Sequence, residues 1–341
     1  MNCKSIHENI CKGPTNSITD VPGVKVGHCT VKKGLVRTGA TAIIPADGNV
    51  FKYKLMASAH IINGFGKSAG LIQVQELGTL ETPIVLTNTL SVGTGMTALT
   101  RYMLDHNDDI GVSTGTVNPV VCECNDGKIN QIRSLAVDEE HFIEALENAS
   151  ETFRQGDIGA GTGMICYGLK GGIGSSSRRI VIDDRAYNLG VLVLSNFGSM
   201  EDFTYYGKPV GDLICKELAR ESSTDKGSII VVLATDLPLE SRQLNRVLKR
   251  TQSGIARTGG YTGNGSGEIA IGFSTANRIS HYPKSAVIER QALHEDYMDL
   301  VFLATVQATE EAIINSLIHS EPALGLDGKV IHSLKDFHEL L

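Results

Sequence analysis

The sequence predicts one α/β domain of layered sheets with helices outside, and three observations lead there. Apolar runs of strand length, such as 189–195 and 229–234, alternate with stretches whose apolar residues recur at helical spacing. No linker, internal repeat or low-complexity stretch divides the 341 residues. Apolar residues make up 41% and charged residues 20%, enough to fill a large core.

The elements follow in order. Residues 1–16 read as a loose polar lead-in. The Pro22-Gly23 turn feeds a short strand over 24–26, and 41–45 is another. Residues 54–62 read as a helix with Ala, Met and Ile on one side. The loop Asn63-Gly64-Phe65-Gly66-Lys67 then precedes a strand over 71–74. A strand over 83–86 leads to Thr87-Asn88-Thr89, a helix start. The helix over 92–106 carries Met96, Leu99, Met103 and Leu104 at core spacing. A β-like run over 117–122 ends at Asn125-Asp126-Gly127, and a helix over 138–153 opens with acidic residues, as the helix dipole favours.

The stretch from Gly156 to Gly163 and the cluster Lys170-Gly171-Gly172-Ile173-Gly174 flank Met164 to Tyr167, a density of glycine that marks close backbone approach. Strands over 179–182 and 189–195 form a hairpin around Asp184-Arg185, the second delivering Asn196 at its end. A polar segment, a helix over 211–219 and a strand over 229–234 follow. A basic-faced helix over 239–257 stops at Thr258-Gly259-Gly260. Last come a strand over 269–273 and a helix over 296–319, with a break or fresh start at Thr309.

A net charge of −7 argues against nucleic acid and anionic membranes as partners. The polar N-terminus lacks a signal-peptide core and no apolar run reaches a membrane span, so a cytoplasmic location is expected. Of the seven cysteines only Cys122 and Cys124 are close. They are expected on opposite faces of a strand, unable to share a metal, and the ten histidines show no ligand spacing. Reduced thiols and no metal or organic cofactor are the expectation.

The chemistry centres on Gly263-Asn264-Gly265-Ser266-Gly267, a bend at the edge of an apolar strand. Alone, such a run is more often an ordinary turn. It lacks the Lys-Ser/Thr ending of a phosphate loop and the Gly-x-Ser-x-Gly spacing of a lipase elbow. No histidine stands in a distinctive motif, so an active Ser266 needs another base. A free α-amine, with a pKa of about 7.7–8.0, suits that task near neutrality. We therefore read the Gly265-Ser266 bond as cut by the protein itself, leaving Ser266 as an N-terminal nucleophile. Asn196 is either a strand-end cap or an oxyanion donor, and Tyr167 a core aromatic or a hydroxyl in a glycine-lined cleft. Thr309 with Glu311 is either a helix-start pair or a support for the Ser266 amine.

Ordered matches along 17–317 give the chain a family likeness. They include the run from Thr19 to His28, Asn63-Gly64-Phe65-Gly66-Lys67, and the run from Gly159 to Tyr167. Further on come Ser195-Asn196-Phe197-Gly198, the Ser266 pentapeptide, and Ala308-Thr309-Glu310-Glu311-Ala312. The chain resembles the DmpA-like L-aminopeptidase/D-esterase family, which includes the β-peptidyl aminopeptidases. The resemblance implies a four-layer αββα sandwich, like that of N-terminal nucleophile hydrolases with different connectivity. It also implies a single domain over 1–341, self-cleaved into associated chains 1–265 and 266–341, commonly as homotetramers. By motif, Ser266 matches the nucleophile, Asn196 the oxyanion donor, Tyr167 the neighbouring tyrosine, and Thr309 with Glu311 a hydroxyl-x-Glu pair.

Some members place a carboxylate for the substrate amine where Arg154-Gln155 stand here, which leaves that role to Asp157, to Glu123 or to neither. The expected substrate is a small peptide, amide or ester. The rival expectations are an acyltransferase of the ornithine acetyltransferase type, which uses threonine at the cut, and an uncut small-molecule-binding protein.

Overall fold

The computed structural model describes residues 6–218 and 227–341. Two sheets lie face to face, and helices cover the outer face of each. The larger has seven strands in the order Ile10–Lys12, Gly172–Ile182, Arg185–Asn196, Ser228–Thr235, Gly267–Ser280, Tyr53–Gly64 and Thr79–Leu80. The smaller has four, Lys25–Lys33, Val36–Ile44, Ile84–Asn88 and Val120–Cys124.

Side-chain alternation builds the layers. Along the central strands one parity (Leu192, Leu194, Ile230, Val232, Ile269, Ile271) meets Ile43, Leu86 and Val120 of the smaller sheet. The other parity (Val191, Val193, Val231, Leu233) meets Val301, Ala308 and Ile313 of the long helix Met298–Ile318. Strands apolar at both parities are those buried on both faces. Beyond the smaller sheet, Ala40, Ala42, Val85 and Val121 pack on Leu99 and Phe142, from helices Val92–Asp105 and Glu139–Glu147. The result is a four-layer αββα sandwich.

Several elements depart from the sequence reading. Residues 54–62 lie within the strand Tyr53–Gly64, not a helix. Leu55, Ala57 and Ala59 face the inter-sheet core at period two, and pairing with Gly267–Ser280 overrides the helix propensity of Ala and Met. Residues 71–74 belong instead to a helix, Leu71–Leu77, bounded by left-handed Gly70 and Gly78. The lead-in supplies an edge strand, Ile10–Lys12, paired with Arg178 to Ile180.

The helix expected over 239–257 divides into Ser241–Leu248 and Thr251–Arg257. The one over 138–153 stops at Glu147. The one over 211–219 is Gly211–Glu217, with Ala219 outside the described residues. The last helix runs unbroken through Thr309. The hairpin is longer than expected and turns at Asp183 and Asp184, both left-handed (φ 47° and 59°).

Cys122 and Cys124 share the inter-sheet core rather than opposite faces, because residues two apart on a strand point the same way. Burial pushes both thiols up, Cys122 to about 12. Among the described residues no group of His, Cys, Asp or Glu is arranged to hold a metal ion, and no helix is long and apolar enough to cross a membrane.

Candidate active site

Ser266 ends a tight turn whose tip is exposed and whose last residue is not. Asn264 lies open to solvent and Gly265 is half-buried, while Ser266 has 0% exposure. The Ser266 N–H donates to the Gly263 carbonyl at 2.9 Å, closing the turn. Thr262, just before it, is held left-handed at φ 62°, a conformation that strains a β-branched residue. The Asn63 amide from the neighbouring strand donates to the carbonyls of Gly263 (3.2 Å), Asn264 (3.3 Å) and Ser266. Beyond the serine, Gly267 begins the central strand with its N–H directed to the Gly227 carbonyl at 3.1 Å. A Cβ at Gly267 would stand 2.5 Å from the Phe65 carbonyl, so the loop over 63–67 packs there only against glycine.

The serine hydroxyl donates to Glu268 Oε1 at 3.1 Å, and Glu268 too has 0% exposure. Sequence reasoning missed this carboxylate. The signal was present, since residues 266 and 268 of an extended run share a face. Asn63 likewise carries no local mark in the sequence beyond its place in the glycine loop over 63–67.

The sheet register aligns Asn196 with Ser228 and Ser228 with Gly267. Asn196 therefore ends its strand two strands away from the serine, roughly 10 Å between backbones. Its carbonyl accepts from the Ile165 N–H at 2.9 Å and its amide donates to the Asn125 carbonyl at 3.0 Å. An amide nitrogen carries two donors, of which Asn125 takes one. Alternation turns Asn196, like Leu194, toward the smaller sheet, whereas Glu268 shares the helix-facing side with Ala270.

Tyr167 is fully buried and left-handed at φ 53°. Its ring packs on Phe197 and Phe203, with centroids 5.1 and 4.9 Å away, and its hydroxyl meets Thr258 Oγ1 at 2.8 Å. Thr258 closes the helix Thr251–Arg257 that precedes the Ser266 turn.

Thr309 and Glu311, expected as a pair supporting the serine, each have contacts of their own on the long helix. Thr309 packs against Gly254, and its hydroxyl donates to the Thr305 carbonyl at 2.8 Å within its own helix. Glu311 is bound by Arg178 at 2.8 Å, by Asn16 at 3.0 Å and by Lys12 at 2.5 Å. Arg178 is level with Leu189, Thr235 and Ser274 across the sheet, seven residues along the strand from Gly267, or roughly 23 Å. Burial raises the Glu311 carboxyl, but the Lys12 and Arg178 charges outweigh it and hold the group below its usual range. Residues two apart on a helix point in different directions, so an x-spaced pair has no common target.

The Gly159–Gly163 turn and the strand beginning at Gly172 are tied by Lys170, a fully buried lysine. Its Nζ donates to the carbonyls of Gly161 and Met164 at 3.0 Å each, and of Gly171 at 2.6 Å. This clasp fixes the segment that presents the Ile165 N–H to Asn196. Glu123, at the end of its strand, accepts from the Lys67 N–H at 2.8 Å and from the Thr89 hydroxyl, bordering the loop over 63–67. Asp157 instead pairs with Lys32 at 3.1 Å. A surface cavity of about 270 Å³, lined by Ile44, Pro83, Tyr102 and Met103 among others, touches none of these groups.

A buried serine hydroxyl at a backbone turn, at the head of a central strand of a four-layer sandwich, is the candidate nucleophile. The profile of peptidase family S58 matches residues 16–331, and the chain belongs to that family. β-Peptidyl aminopeptidase BapA of Sphingosinicella microcystinivorans is 36% identical over 94% of this chain and 86% of its own. The crystal structure of the PH0078 protein of Pyrococcus horikoshii superposes with a TM-score of 0.92 at 52% identity, covering 97% of this chain and 94% of that one. The L-aminopeptidase D-Ala-esterase/amidase of Ochrobactrum anthropi, described as a prototype serine aminopeptidase and a variant of the Ntn hydrolase fold, gives 0.87 at 34% identity. It is covered over 96% of its length, against 97% of this chain. The chain is thus a serine aminopeptidase, a hydrolase.

Proposed function

We propose that the chain cuts itself between Gly265 and Ser266 and then works as an N-terminal-serine aminopeptidase on small peptides, amides or esters. The observation that carries this reading is the placement of Ser266, fully buried beneath an exposed, strained turn. Intact, the backbone closes over the nucleophile and no substrate reaches it. Cutting releases residue 266 from its turn, opens the hydroxyl and creates the α-amine that takes its proton.

Ser266 Oγ, once the cut frees residue 266 to swing toward the end of the strand Arg185–Asn196, attacks the carbonyl of the substrate's first residue, and Asn196 donates its second amide N–H to the oxyanion. The leaving amine takes the proton, and water releases the acyl group. Tyr167 and Thr309 act at one remove, through Thr258 and the helix Thr251–Arg257. Glu123, beside the loop over 63–67, is the carboxylate we assign to the substrate's free amine in preference to Asp157, which Lys32 already occupies.

The fragments 1–265 and 266–341 stay associated because the smaller one carries the central strand Gly267–Ser280, hydrogen-bonded on both sides by strands of the larger. Assembly into homotetramers fits the exposed Phe65, Ile72 and Val112. A cytoplasmic setting fits the buried free thiols. The test is the Ser266→Ala variant, which stays one chain and hydrolyses no aminoacyl amide. A variant that is still cut at 265–266 overturns the reading.

A further inference from the structure

We propose that Glu268 is the catalytic base, and then the acid, of the self-cleavage step. The inference rests on the proposed cut before Ser266 and names the group that makes it. An uncut chain has no α-amine at residue 266, because that nitrogen is still in a peptide bond and donates to Gly263. The base used in later turnovers is therefore missing when the first bond must break. In the uncut chain the Ser266 hydroxyl donates to Glu268 Oε1 at 3.1 Å, within the reach of direct proton transfer. Both residues are fully buried. Glu268 is also rigidly placed, on a strand paired at Ile229 on one side and Asn63 on the other.

Glu268 takes the hydroxyl proton while Ser266 Oγ bonds to the Gly265 carbonyl carbon, closing a five-membered ring. As the C–N bond breaks, the protonated Glu268 returns its proton to the residue 266 nitrogen. The product is an ester between Gly265 and Ser266 Oγ. One water molecule hydrolyses it, leaving Gly265 as a C-terminal carboxylate and Ser266 with a free amine and hydroxyl.

The experiment follows pulse-labelled full-length chain from cell-free synthesis, resolving the 1–265 and 266–341 fragments on denaturing gels over time. Glu268→Gln keeps the side chain's shape without its basicity and is expected to slow cleavage about 10²–10⁴-fold, the usual worth of a positioned base. Its thermal melt, compared with that of Ser266→Ala, reports folding. Glu268→Ala is tested with added formate and, separately, formamide. Formate supplies a carboxylate and restores cleavage, while formamide fills the same space without restoring it. Cleavage of Glu268→Gln within threefold of wild type overturns the proposal. So does equal rescue by the two additives, or none by formate, and this arm decides the matter if the Gln variant does not fold. Wild type that never cuts sinks the N-terminal-serine reading itself. A wild type that cuts, beside an equally fast Gln variant, sinks only the role of Glu268.

Discussion

Replacing Asn196 with alanine separates its two duties. As oxyanion donor it stabilises the tetrahedral intermediate, and losing one such donor typically costs about 3 kcal/mol, or 10²–10³ in kcat. As a structural amide it satisfies the Ile165 N–H at 2.9 Å and the Asn125 carbonyl at 3.0 Å. Leaving such partners unpaired costs about 1–3 kcal/mol of stability. Asn196→Asp retains an acceptor for Ile165 but has no N–H to offer, so it recovers part of the stability and none of the rate. The assay is steady-state hydrolysis of an aminoacyl p-nitroanilide by fully cut protein, with thermal melts of the same preparations. Both variants should lose at least 10² in kcat with KM little changed. A kcat within threefold of wild type in the Asp variant would refute the assignment, since the donor would be gone without consequence.

Other outcomes follow from the same geometry. Glu311→Ala strips the partner from Arg178, whose side chain is 9% exposed, and is expected to cost about 3–5 kcal/mol in chemical denaturation. A kcat loss as large as that of Asn196→Ala, at temperatures where the variant is folded, would restore Glu311 to the catalytic set. Gly174→Ala would put a Cβ 1.9 Å from the Ala312 carbonyl of the long helix, so the variant should yield little soluble protein. Soluble variant with an unchanged melting temperature contradicts that packing. His28 is lowered to about 4, chiefly by burial, against an ordinary value near 6.5. The unfolded chain then binds the extra proton between those values, so this histidine's contribution is present above about pH 6.5 and fades toward pH 4. It amounts to at most roughly 3 kcal/mol. Denaturation of wild type and His28→Gln across that range should show the difference narrowing as pH falls.

Much of the fold is readable from strands buried on both faces, because 189–194 and 229–234 carry no polar side chain and have no alternative to the centre of a sandwich. The strand Tyr53–Gly64 was not readable, since Ala, Met and His carry no strand preference and only its partner Gly267–Ser280 makes it extended. The site divides in the same way. Ser266 and Asn196 stand at the ends of apolar strands, where local sequence marks them. Glu311 could be placed only by knowing that Lys12 and Asn16, some 300 residues earlier, fold back onto it. Glu268 was in plain view, two residues from the serine, but inside a run read only for its hydrophobicity.

The decisive measurement is the intact mass, under denaturing conditions, of freshly purified wild-type protein assayed in parallel on an aminoacyl amide. Two masses, matching residues 1–265 and 266–341 with serine at the new N-terminus, are the predicted result. One full-length mass from a preparation turning over substrate at its full rate contradicts it.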